Sequence, residues 1–255
     1  METRYIWQVA LQQSAVDLNC DVKDLLAGEN RVVLSAANSG ARKYLHLPQE
    51  CHLVSYGSNI VAAVREDVKP AVENYLQRCS AAHGFETPGI HVLDRLLQPY
   101  GLQTCFMAEY FLPDVEKVRA LPCRYEMRLL HQADFAELYL PKWSNALCAD
   151  RRHLDVLGMG AYEGDMLVGL AACSADGEEM WQIGVDVLPA YRRQGIASAL
   201  TSRLALEIMQ RGKVPFYCAA WCNVASARNA VRCGFRPAWV ELSARDMAFV
   251  AEMNQ

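Results

Sequence analysis

The chain has 255 residues, 52% of them hydrophobic, and a formal net charge of −4. That length buries one large core or two modest ones, and no apolar run reaches membrane length. Up to Pro122 there are 11 basic and 14 acidic residues, and beyond it 14 and 15, so neither half has the basic balance of a nucleic-acid binder. Met1-Glu2-Thr3-Arg4 leads into mixed polar sequence without an export signal, and the 10 cysteines are scattered without C-x-x-C spacing. Reduced thiols in a cytoplasm, with no metal site, are therefore expected.

In chain order, the first half reads as mixed α+β. Asn19 or Asp21 is placed to start a helix, and residues 31–34 are a short apolar run. Residues 52–56 and 60–64 pattern as a hairpin around Gly57-Ser58-Asn59. Residues 68–79 carry Val72, Leu76 and Cys79 on one helical face, residues 91–97 suit another short helix, and 105–111 a strand. The prolines at 113 and 122 mark a connecting segment, which divides the chain into domains 1–121 and 122–255. Past the boundary, residues 125–130 read as a strand. Asp134 and Ser144 each stand where a helix can be capped, through about residues 140 and 156. Residues 159–162 and 166–172 are strands joined across Glu163-Gly164-Asp165, and 180–187 is a third strand after the Asp176-Gly177 turn.

The stretch from Val185 to Ala197 carries the chemistry. A buried strand runs through Val185-Asp186-Val187 into Leu188-Pro189 and then Arg192-Arg193-Gln194-Gly195-Ile196-Ala197, where a long helix begins with apolar residues at 196, 200, 204 and 208. Free amides at a helix start point outward, the helix dipole adds partial positive charge, and Gly195 allows close backbone approach. A pyrophosphate fits such a cradle, and the arginines add full charges. Neither a P-loop nor a dinucleotide fingerprint is present: Gly158-Met159-Gly160 starts the latter, but Glu163 stands where the third glycine belongs. After the helix come Gly212, an aromatic-rich strand over residues 214–221, Asn223 and Ser226, a short helix over 227–233, and Gly234-Phe235.

Arg192, Gly195 and Ala197 match R-x-x-G-x-A, and this resembles the acyl-CoA turn of the GNAT acyltransferase superfamily. The order of strand, turn, long helix, strand, Asn loop, short helix and Gly-Phe is similar too, over roughly residues 124–242. The layout resembles the FR47-like and zwittermicin-resistance-type two-part branch, which implies a mostly antiparallel sheet flanked by helices in the second half and a degenerate unit of the same kind in the first. The resemblance implies an N-acetyltransferase that moves an acyl group directly from acetyl-CoA to a small-molecule amine. It places the diphosphate on residues 192–197, a carbonyl-polarising amide among Val185, Asp186 and Val187, and Asn223 and Ser226 beside the pantetheine arm. Acceptor contacts then fall to Trp143 and Asn145.

Two departures stand out. The family's usual tyrosine near the sulfur is replaced by Ala230, and its usual glutamate base by Trp181. By strand alternation Glu179 faces the same side as Trp181 and is the remaining carboxylate for a base. Those losses keep a second reading open, that of a catalytically silent acyl-CoA-binding sensor or regulatory partner.

Overall fold

A computed structural model describes all 255 residues. The chain divides into two compact units, Met1–Val9 with Phe111–Pro237 and Ala10–Tyr110 with Ala238–Gln255. The expected boundary at 121/122 therefore shifts to 110/111, and both chain ends cross over. The reason lies in three long elements: α1 (Thr3–Leu18), β4 (Leu102–Pro113) and β10 (Phe235–Asp246) each run from one unit into the other.

In the second unit the strands β1 (Arg31–Leu34), β2 (Cys51–Ser55) and β3 (Val61–Val64) lie in the order β1-β3-β2-β10. β1 runs parallel to β3, while β2 is antiparallel to both β3 and β10, with Val240 opposite Ser55 and Ala244 opposite Cys51. The short helix α2 (Val22–Leu25) starts at Asp21, one of the two expected caps. Helices α3 (Lys69–Leu76) and α4 (Thr87–Leu97) bury Val72, Leu76, Leu93 and Leu97 against Leu53, Ile60 and Leu242.

This unit also buries a cluster of charge. Arg42 bonds the Asp17 carboxylate with its Nε and its backbone N–H, the latter at 2.8 Å, and reaches Glu241 at 2.7 Å with Nη2. Glu241 also accepts from Trp239 Nε1 at 2.7 Å and lies 3.1 Å from His52 Nε2. Burial alone would raise the Glu241 carboxyl, but the Arg42 charge, His52 and Trp239 outweigh it and hold it well below its ordinary value.

The first unit orders its strands β9-β8-β7-β6-β5. These are β5 (Glu126–His131), β6 (Asp155–Glu163), β7 (Met166–Ser174), β8 (Met180–Val187) and β9 (Val214–Ala220). Neighbours from β5 to β8 are antiparallel, and β9 runs parallel to β8 because a helix joins them. That helix, α5 (Ile196–Gln210), lays Ile196, Leu200, Leu204 and Ile208 on one face of the sheet. It ends as Gly212 takes φ +77 and Lys213 N–H reaches back to Ile208 O. Helix α6 (Val224–Arg232) follows β9, and α7 (Met247–Glu252) closes the chain. The two helices expected over 134–140 and 144–156 are absent. Only 3-10 turns form there, at Gln132–Phe135, Pro141–Trp143 and Ala149–Leu154. Pro141 breaks the backbone between them, and Phe135, Trp143 and Leu147 pack on the open face of the sheet instead.

The buried cluster makes a pH prediction. A carboxyl depressed in the native state adds stability above its unfolded value near pH 4.3, and that stability is lost as the pH falls below it. Glu241→Gln is expected to cost on the order of 3 kcal/mol at pH 7 and to flatten the acid limb of stability measured by urea denaturation. Parallel acid limbs in the two proteins would contradict the assignment.

Candidate acyl-CoA site

The site begins where two strands part. β8 keeps its antiparallel partner β7 from Gln182 to Val187, but pairs with β9 only from Met180 opposite Val214 to Ile183 opposite Tyr217. Beyond that point both strands continue without each other. Leu188 N–H donates to Val168 O at 3.0 Å on the β7 side, and Glu179 O accepts from Val214 N–H at 2.8 Å on the β9 side. Alternation along the strand then turns the amides of Val185 and Val187 into the gap and that of Asp186 toward β7. Of the three residues named for a carbonyl-polarising amide, Val185 and Val187 turn theirs into the gap and Asp186 turns its toward β7.

The turn follows directly. Pro189–Tyr191 makes one 3-10 turn, closed by Tyr191 N–H on Leu188 O and Arg192 N–H on Pro189 O. Arg193 then takes φ +63 and Gly195 φ +82, and the first bond of α5 is Ala199 N–H to Gly195 O at 3.0 Å. The amides of residues 193–198 donate to no carbonyl. Arg192, Arg193 and Gln194 are exposed, and a Cβ added to Gly195 would meet no atom within 4 Å. An outward row of amides over open space at a helix start suits a diphosphate. Two side chains brace the loop rather than face it. Gln194 accepts from the Tyr125 hydroxyl at 2.9 Å, and Arg192 Nε donates to Val187 O at 3.0 Å. Arg193 is exposed and forms no ion pair.

The other expected residues scatter. Asn223 is exposed at the start of α6, where its Oδ1 accepts from Ser226 N–H at 3.1 Å. The Ser226 hydroxyl lies 2.9 Å from that of Tyr217. Ala230 is fully buried in the core under α5, so no hydroxyl enters the gap from its position. Trp143, expected to touch an acceptor, is 1% exposed and packs on Phe135, Leu147 and Leu170, because an indole beside an open sheet face contributes most as core. Asn145 is exposed beside β8 and bound to Asp186.

Glu179 sits at the wrong end. It precedes β8, about 20 Å along the strand from Val185, and its carboxylate pairs with Lys213 Nζ at 2.9 Å and accepts from the Tyr5 hydroxyl at 3.2 Å. The hydrogen bond from Lys213 holds its pKa below the ordinary value, against a smaller burial effect. A carboxylate so placed is a weak base remote from the gap. Lys213 and Tyr5 did not stand out in the sequence. The start of a parallel strand after Gly212 is the signal that pairs Lys213 with Glu179, whereas nothing local joins Tyr5 to it.

All ten cysteines are free thiols, and no cluster of three or more His, Cys, Asp or Glu side chains is placed to hold a metal. No helix is long and apolar enough to cross a membrane.

A family model for GNAT acetyltransferases matches residues 103–238, just over half of the chain, and the protein belongs to that family. The fold is similar to an acetyltransferase of the GNAT family from Colwellia psychrerythraea, at 15% identity and TM-score 0.44, over 59% of this chain and 60% of that one. A tandem GNAT protein from the clavulanic acid biosynthesis pathway is similar at 14% identity and TM-score 0.45, over 63% of this chain and 59% of that one. A Drosophila melanogaster protein aligns over 94% of this chain and 89% of its own, at 14% identity and TM-score 0.46. The chain thus spans less than two thirds of the first two structures. No curated protein matches it.

Two substitutions probe the geometry. Gly195→Glu puts an anion where the diphosphate is expected, and calorimetry should show affinity for coenzyme A falling at least a hundredfold; undiminished affinity would contradict the cradle. Gly184→Ala drives a Cβ to 1.8 Å from Asn145 O. That should unseat the loop, at a cost of about 1–3 kcal/mol in thermal or chemical denaturation.

Proposed function

We propose that this protein is an N-acetyltransferase that transfers the acetyl group of acetyl-CoA directly to the amine of a small molecule. The observation that carries the reading is the run of unpaired amides, Val185 and Val187 in the gap and residues 193–198 across the turn and the start of α5. The turn receives the diphosphate, with Arg193 as the free charge, and Asn223 and Ser226 flank the thiol-bearing arm. Val185 and Val187 donate to the thioester oxygen, where negative charge develops during attack. The amine nitrogen forms the new C–N bond as the C–S pair leaves with sulfur. The nitrogen loses its extra proton to water or buffer, and the departing thiolate takes one up. No carboxylate on the gap need act as base, since Glu179 lies elsewhere and an amine free of its proton is already nucleophilic.

Incubation with acetyl-CoA and a panel of primary amines, followed by detection of free thiol, tests this directly. Turnover on at least one amine is expected. The buried Ala230 favours the second reading, a silent acyl-CoA binder. Tight binding of coenzyme A with no thiol release on any amine would establish that reading and remove the enzyme. Glu179→Gln is expected to leave the pH profile of kcat/KM unchanged and to lower stability slightly through loss of the half-buried Lys213 pair. A shifted profile would return Glu179 to the chemistry.

A further inference from the structure

The gap between β8 and β9 has a closed end. The last rung that joins the two strands pairs Ile183 with Tyr217. On the α5 side this rung is sealed, since Ile183 and Tyr217 are both buried in the core that receives Leu200 and Leu204. Alternation along the strands puts Gln182, Gly184 and Cys218 together on the other face. There Gln182 Nε2 donates to Cys218 Sγ at 3.0 Å, a side-chain bridge from β8 to β9 beside the last rung. Gly184, on the same face, is covered by the backbone of the preceding loop: a Cβ added to it would lie 1.8 Å from Asn145 O and 3.2 Å from Ala146 Cα.

The closed end is therefore bounded by a backbone rung, a loop carbonyl and one pair of half-buried side chains. Its depth follows from the strand. The Val185 amide lies two residues beyond Ile183, about 7 Å along β8. With the diphosphate on the turn and the thioester oxygen on that amide, the acyl carbons beyond the carbonyl run toward the rung. Contact between carbon atoms takes up about 4 Å of that length. The remainder, about 3 Å, is the reach of two carbon–carbon bonds.

Resting on the acyl-CoA reading above, we infer that Gln182 and Cys218 are specificity-determining residues whose bridge shuts the gap behind the thioester and limits the transferred acyl group to two or three carbons. The rung and the Asn145 carbonyl are main chain and cannot be trimmed by substitution, so the side-chain pair is the part of the boundary that sets chain length. A longer chain must part Gln182 from Cys218 and lay methylenes against an amide that has lost its partner, which is unfavourable.

Calorimetry on the full-length protein with coenzyme A and its acetyl, propionyl, butyryl and octanoyl thioesters tests this limit without an acceptor. The unaltered protein should bind acetyl- and propionyl-CoA within threefold of each other and butyryl-CoA at least tenfold more weakly. In Gln182→Ala/Cys218→Ala the acetyl-to-butyryl ratio of affinities should fall below three. Cys218→Leu thickens the barrier and should weaken acetyl-CoA at least fivefold relative to coenzyme A; it serves equally if the double variant does not melt cooperatively. Equal affinity of the unaltered protein for acetyl- and octanoyl-CoA overturns the inference and leaves the acyl-CoA reading standing. So does an unchanged ratio in either variant. If coenzyme A and all its thioesters fail to bind the unaltered protein, the acyl-CoA reading itself fails and the inference falls with it.

Discussion

The parting of β8 from β9 after Ile183 and Tyr217 is the constraint on which the site depends. A parallel pair inside a sheet normally satisfies every amide between its strands. Here the pairing stops after four residues, and the backbone of Val185 and Val187 is left with donors and no acceptor. Unpaired amides are tolerated where water or a ligand reaches them and are costly where it does not. The sheet supports the gap from the other side, since β7 continues to hold β8 to its end.

Everything around the gap is arranged to keep those donors rigid. Helix α5 presses its apolar face on β6, β7 and β8, so the turn that precedes it starts from a fixed point. Tyr125, through Gln194, and Arg192, through Val187 O, tie the turn down with side chains. On the opposite face, Asp186 and Gly184 seat the loop at Asn145. Donors that do not need to reorganise when charge develops are the form of stabilisation an acyl transfer can use.

Charge is distributed differently in the two units. In the first, the acidic Glu179 is paired with Lys213 far from the gap, while Arg193 is exposed at the turn. In the second, Arg42, Asp17, Glu241 and His52 are withdrawn from water altogether and must satisfy one another. Such a buried set is weak evidence for extra stability, but removing one member leaves the others exposed to the full penalty of an unpaired charge.

Much of this was readable in the residues. Period and punctuation located β8 at Met180–Val187, α5 from Ile196 and the glycine-bearing turn between them, because helix starts, glycine positions and apolar spacing are local properties. The same signals failed between residues 132 and 154, where capping residues suggested helices but proline and the demand for side chains on the sheet produced short turns. They also missed α1 and the exchange of chain ends, since pairing of β10 with β2 depends on residues some 190 positions apart. What the sequence alone determined is a strand, a turn and a helix able to present amides to an anion. What only the folded chain decided is which groups stand beside them: Trp143 went to the core, Glu179 to a distant ion pair, and Asp186 to the Asn145 loop. Side-chain roles follow from neighbours brought together across the sheet, and no local pattern records them.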